Sequence, residues 1–142
     1  MKNLFSFLSM IITLFLLTGC PKPAPKFPVF ELGKSFVIAQ GATMQTDDNA
    51  LNIQFAQVTG DSRCPEGVQC IWAGRADCVF ILTKGDVAES VTLASGDFSQ
   101  GGSGQASFNG YTITLNDIAP AMRAGETIKQ EDYRATVTVS KL

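Results

Sequence analysis

Apolar and polar side chains alternate with a period of two along much of the chain. Leu51, Ile53 and Phe55 face one way and Asn52 and Gln54 the other; near the C-terminus Tyr133, Ala135, Val137 and Val139 oppose Arg134, Thr136 and Thr138. Strands with one face in a core and one in water read this way. The pattern predicts strands over Ser35 to Gln40, Leu51 to Val58, Arg75 to Thr83, Val87 to Ala94, Tyr111 to Asn116 and Tyr133 to Lys141, each rich in Val, Ile, Thr or aromatic residues. Beyond residue 28 no stretch repeats apolar residues at helical spacing over the roughly eleven positions a helix signature needs. Lys84-Gly85-Asp86 suits one hairpin turn, and Asn109-Gly110, between Phe108 and Tyr111, is the preferred type I′ pair for another. Ser95 to Ser107, rich in glycine and serine, is expected to be a mobile loop, and Asp117 to Glu126, with Pro120 and Gly125, a second connection. A single open sheet would leave an apolar face bare. Residues 29–142 are therefore expected to form one all-β domain, a small β-sandwich or barrel of about six to eight mainly antiparallel strands.

The start of the chain follows a different pattern. Met1-Lys2-Asn3 gives a positive start, and Leu4 to Leu17 is then almost wholly apolar. That is the form of a secretory signal. As a helix the apolar run would reach about 21 Å, short of the roughly 30 Å hydrocarbon core of a bilayer. The run closes on Leu17-Thr18-Gly19-Cys20, which resembles the lipobox of bacterial lipoproteins. The resemblance implies a signal peptide over residues 1–19, diacylglycerol on the Cys20 sulfur and acylation, such as palmitate, of the new amino terminus. Several buried acyl chains would hold the domain at a membrane without spanning it. Residue 21 is Pro, where in enteric-type bacteria Asp accompanies inner-membrane retention, so the resemblance favours the outer membrane. Residues 20–28 then form the lipidated Cys and a tether. This segment holds four of the six prolines, at Pro21, Pro23, Pro25 and Pro28, and is expected to be an extended spacer of about 25 Å.

Composition narrows the functions open to the domain. The chain contains no histidine, so Ser-His-Asp and Cys-His catalytic units and imidazole metal ligands are absent. Lys2 is the one charged residue of the leader, leaving 10 basic against 13 acidic side chains, from totals of 11 and 13. Nothing in that balance offers the basic field that nucleic acid requires, and no nucleic-acid partner is expected.

The most unusual stretch runs from Asp61 to Gly74 and holds Cys64, Cys70 and the only tryptophan, Trp72; Cys78 follows on a predicted strand. Export would place these thiols where disulfides form, and with Cys20 lipidated one internal bridge leaves one thiol over. Loop closure, at about 2.3 kcal/mol for Cys64 with Cys70 and about 3 kcal/mol for Cys64 with Cys78, does not separate the pairings. Direction favours the first, because Cys78 shares parity with Ala76, Phe80 and Leu82 while Cys64 and Cys70 bracket a Pro-Glu-Gly turn. Cys64 with Cys78 stays open. The run Asp61-Ser62-Arg63-Cys64-Pro65, Val68-Gln69-Cys70 and Ile71-Trp72-Ala73-Gly74 resembles small exported bacterial proteins with an Asp-Ser-Arg-Cys-Pro and Val-x-Cys-x-Trp-Ala-Gly pattern. Cys78 is an addition to that pattern. The resemblance implies an exported β domain and no reaction.

On this basis the domain is expected to be a lipid-anchored, non-enzymatic binding or structural module of the bacterial cell envelope, with no cofactor. Its partners would be the membrane, through the anchor, and an envelope protein or glycan. The disulfide-braced loop would present Arg63, Glu66, Gln69 and Trp72, since a rigid loop loses little entropy on docking. Two alternatives use the same loop: inhibition of an envelope enzyme, with Glu66 to Val68 at an extended tip, and a thiolate metal site from Cys64, Cys70 and Cys78, with Asp61 or Asp77 as an oxygen ligand. In a purely architectural reading the bridge fixes a loop, Trp72 caps the core and Arg63 pairs with Asp61 or another carboxylate. The spacing Cys-x5-Cys lacks the geometry of a redox pair. Asp47-Asp48-Asn49 reads as a turn rather than a calcium loop. Asp86 with Glu89, or Glu126 with Glu131 and Asp132, are the carboxylates an acid pair would draw on, and solvated edge charges are the simpler reading.

Overall fold

The computed structural model describes residues 25–96, 98 and 101–142. The predicted signal peptide, Cys20 and Pro21 to Ala24 of the tether lie outside the described residues. Among the described residues no helix is long and apolar enough to cross a membrane.

The chain folds as β1 (Val29–Phe30), β2 (Ser35–Ala39), β3 (Thr43–Thr46), β4 (Asn52–Asp61), β5 (Arg75–Lys84), β6 (Val87–Gly96), β7 (Gln105–Phe108), β8 (Tyr111–Ala119) and β9 (Arg134–Lys141), with a 3-10 turn at Gln130–Asp132. Five strands form one sheet in the order β1-β3-β4-β5-β6, and four form the other in the order β2-β9-β8-β7. Every pairing is antiparallel except β1 with β3. The sheets stay separate, so the all-β expectation resolves to a sandwich and not a barrel. The six predicted strands are all present. The three additional ones are short, and two to four residues are too few to display an alternation.

The expectation of a loop throughout Ser95 to Ser107 is corrected at both ends, because β6 continues to Gly96 and β7 begins at Gln105. Part of the remainder is tied down, with Ser103 O accepting from Ala94 N at 2.8 Å and Gly104 O from Leu115 N at 2.8 Å. Likewise β8 runs to Ala119, so the second connection starts at Pro120.

Local chemistry sets the hairpins. Lys84 pairs with Val87 across Gly85-Asp86, and Phe108 with Tyr111 across Asn109-Gly110. Asn109 and Gly110 both have positive φ, at 43° and 86°, as a type I′ turn demands. Between the sheets Phe55 and Phe80, opposite each other in register and fully buried, stack with centroids 5.0 Å apart. Burying one such ring stabilises by about 2 kcal/mol. Ile38, Ile113, Val137 and Val139 meet them from the second sheet, all buried as their parity predicts.

β4 is bulged twice against β5, between Phe55 and Gln57 and between Val58 and Gly60. Each extra residue flips the inward phase. Val58 therefore joins the core out of step with Phe55, and Asp61 returns to the inward phase opposite Ala76. Two glutamines satisfy the backbone that the bulges release. Gln40 Nε2 donates to Ala56 O at 2.6 Å. Gln130 accepts from Val58 N at 3.1 Å and donates to Val58 O at 2.8 Å. The result is a carboxylate at the rim of the core, where β4 ends.

Candidate functional site

Beyond Asp61 the chain keeps a ladder with the residues that lead into β5. Ser62 N donates to Arg75 O at 2.8 Å and Cys64 N to Ala73 O at 3.0 Å. This close approach needs a glycine at residue 74, where φ is +66° and a Cβ would lie 1.8 Å from Ser62 O. Cys64 and Cys70 are joined by a disulfide with their Cα atoms 6.0 Å apart, the pairing that direction favoured. Inside the bridge Val68 N donates to Pro65 O at 3.2 Å and Glu66 N to Met122 O at 2.8 Å. The loop is thus a turn resting on the β8–β9 connection, and Glu66 to Val68 are not held as the extended tip that an inserted inhibitory loop would use.

Arg63 anchors the loop from beneath. Its Nε donates to Asp61 Oδ1 at 2.9 Å and its Nη2 to Asp61 Oδ2 at 2.7 Å, a two-pronged pair. The same guanidinium donates to Ile118 O at 2.5 Å and Pro120 O at 2.9 Å, capping the end of β8. Tyr133 Oη donates to Asp61 Oδ2 at 3.0 Å. The Arg63 and Asp61 side chains are only 15% and 7% exposed. Burial pushes the Asp61 carboxyl up, but hydrogen bonds and charge from Arg63, with the Tyr133 hydroxyl, outweigh it and hold the group below the ordinary carboxylate range. Burial and then the facing carboxylate push Tyr133 up to about 12. Near neutral pH the cluster is therefore a carboxylate, a guanidinium and a phenol, each with its partners, and none of the three is poised to exchange a proton.

Above this support every residue from 66 to 73 is exposed. Ile71 is 96% exposed, Trp72 66% and Val68 46%. Of the predicted recognition residues, Glu66, Gln69 and Trp72 lie on this outer surface while Arg63 is turned inward. Glu66 faces Arg123 across 3.9 Å with both side chains well exposed, a pair worth little. The pairing of Arg63 with Asp61 is as the architectural reading expects. Its other half is corrected: Trp72 does not cap the core. The ladder of Ser62 and Cys64 with Ala73 and Arg75 carries residues 71 and 72 beyond the ends of β4 and β5, away from the buried layer. Ile71 and Tyr133 are the residues that sequence reasoning did not assign to this site. Ile71 carried a signal nonetheless, since two large apolar residues in succession, directly after Cys70, break the two-residue alternation.

The remaining candidates lie elsewhere. Cys78 is a free, buried cysteine whose thiol burial pushes up to about 12, so it offers no thiolate at neutral pH. Cys64 and Cys70 are joined to each other, and among the described residues no group of three or more Cys, Asp or Glu side chains is placed to hold a metal ion. Asp48 Oδ1 accepts from Thr46 Oγ1 at 2.6 Å and Ala50 N at 3.0 Å, the local bonding of a turn. Asp86 and Glu89 sit at or near the β5–β6 hairpin, while Glu126, Glu131 and Asp132 belong to the β8–β9 connection at the other end. Comparison with protein-family models, with curated proteins and with solved structures finds no match to this chain.

Proposed function

We propose that this protein is a lipid-anchored, non-enzymatic binding module of the bacterial cell envelope, and that the braced loop at residues 64–72 is its binding element. The observation that carries the reading is the exposure of Ile71 and Trp72 on a loop fixed both by a disulfide and by the Arg63 clamp. Exposed large side chains on flexible loops lose conformational freedom when they dock; here the backbone is already held, so contact area converts more fully into affinity. Anchoring rests on the resemblance of Leu17 to Cys20 to a lipobox. It adds a second advantage, because a tethered module meets its target at high effective concentration and needs only modest affinity.

A photo-reactive residue at position 69 in the living envelope tests this, with a second at position 86 on the opposite end as control. Adducts specific to position 69 are expected. Identical labelling from both positions would show that the loop has no privileged contact and would remove the proposal.

A further inference from the structure

Resting on the anchored reading above, we infer that the end of the sandwich carrying the β5–β6 and β7–β8 hairpins seats on the lipid surface that holds Cys20, with Val29, Leu32, Val87 and Leu142 entering its interfacial layer and the braced loop facing away. The first argument is where the tether joins. Val29 pairs with Gln45, Gln45 with Asn52 and Asn52 with Thr83, next to the turn that Lys84 and Val87 close. Gln45 also pins the chain just before β1, its N donating to Pro28 O at 2.9 Å and its Oε1 accepting from Phe27 N at 3.1 Å. Between Cys20 and Phe27 are seven residue steps, which span at most about 25 Å. The level of Thr83 lies eight residue steps, about 27 Å, from Arg75, and the braced loop lies beyond that. A domain seated on the loop would lift Phe27 out of reach of an anchored Cys20. Seated on the hairpin end, it leaves the tether slack.

The second argument is chemistry. All four aliphatic side chains are exposed, Val87 by 53% and Leu142 by 80%. They are spread across the end of the sandwich: Val29 and Leu32 by the edge strand β1, Leu142 beside Gly110, whose O accepts from Leu142 N at 2.9 Å, and Val87 on the edge strand β6. A flat apolar layer meets such a spread at once, whereas a protein partner draws its affinity from a few clustered anchors. Lys84 and Lys141 stand among them, with long apolar stems that can lie in the interface while the ammonium stays in water. Glu31 faces Lys34 at 2.6 Å, and Asp47, Asp48 and Asp86 lie in the turns of this end. The charges are therefore mixed, and apolar contact drives the seating, assisted by an anchor that holds the domain at the surface. Side-on seating would instead press the outer sheet faces, with Gln54 and Thr114, against lipid, and among the described residues Val37 is the one exposed large apolar side chain along their middle.

Trp72 is the chain's only tryptophan, so Val87→Trp and Leu32→Trp, each made in a Trp72→Phe background, report on the hairpin end alone. Each processed full chain would be reconstituted into vesicles of phosphatidylethanolamine and phosphatidylglycerol, with and without bromine on the acyl chains. The inference expects blue-shifted emission from positions 87 and 32 that loses most of its intensity to the brominated lipid, and aqueous, unquenched emission from Trp72 in the wild-type chain. Mass measurement of the Cys20 peptide and flotation of the vesicles test the anchor separately. An acylated, floating protein whose reporters at positions 87 and 32 both stay aqueous overturns the lipid contact and leaves the anchor intact. Quenching of Trp72 equal to that at position 87 overturns the orientation. Aqueous reporters together with protein or glycan adducts from a photo-reactive residue at position 87 in the living envelope give this end to another partner, and also overturn the inference. A Cys20 peptide without acyl chains overturns both readings.

Discussion

The two ends of the sandwich are built by opposite means. At one end β5 turns into β6 and β7 into β8 through two-residue hairpins, and Lys84 links them by donating to Asn109 O at 2.8 Å and lying over the Tyr111 ring. The turn residues themselves dictate this geometry, from positions adjacent in sequence. At the other end the connections β4–β5, β6–β7 and β8–β9 are long, and the order of the first and third comes from side chains far apart along the chain. Arg63 bonds Ile118 across 55 residues and Tyr133 reaches Asp61 across 72. A short turn closes a sheet without further help. A long loop holds one shape only where buried groups seize it, and such a loop can then expose apolar side chains without collapsing onto the core.

The contrast predicts unequal sensitivity to mutation. Arg63→Ala should have the largest effect, about 3 kcal/mol of unfolding free energy in urea, because it strands a nearly buried carboxylate. Asp61→Asn combined with Arg63→Ala should recover part of that loss; equal damage in the single and double variants would show that the charge is not the cause. Replacing Cys64 and Cys70 together by serine should cost about 2 kcal/mol, read as a shift in the urea midpoint against the oxidised wild type.

The pH dependence sharpens the same comparison. Asp61 is held below its unfolded value, so its contribution is present above about pH 4 and is lost as the pH falls through the lower folded value. Tyr133 is held above its ordinary value of 10.0, so its contribution is complete below that pH and is lost as the pH rises towards about 12. Buried Cys78 acts in the same direction from 9.0 upward. Equilibrium unfolding across this range should show Asp61→Asn flattening the acid limb and Tyr133→Phe the alkaline one. At the hairpin end the effects should be smaller. Asn109→Ala, which puts an ordinary side chain at a φ of 43°, should cost about 1 kcal/mol in thermal or urea unfolding. Lys84→Ala should cost about 0.5 kcal/mol, and a larger loss would mean that this end also depends on long-range bonds.

What sequence reading recovered follows the same division. The six longer strands, both hairpin turns and the inward parity of Cys78 were legible because each depends on neighbours two or three positions away. The short β3, Thr-Met-Gln-Thr, was not legible, since its Gln45 and Thr46 are polar yet buried. Gln45 is paid for only in three dimensions, its Oε1 accepting from Phe27 N at 3.1 Å and its Nε2 donating to Asn49 Oδ1. The bulges of β4 were equally hidden, because Gln40 and Gln130, which bond the strand where it bulges, are distant in the chain.

Alternation, turn chemistry and cysteine spacing by themselves determined an all-β domain, its main strands, its hairpins and a bracketed loop open to disulfide bonding. Tertiary structure alone decided that Asp61 and Arg63 meet Tyr133 beneath that loop, that Arg63 is withdrawn from the surface, and that Trp72 points into solvent. Periodicity records which face of a strand is dry. It carries no information about which distant carbonyl or carboxylate will close over a loop, because that depends on how two sheets align once both have formed.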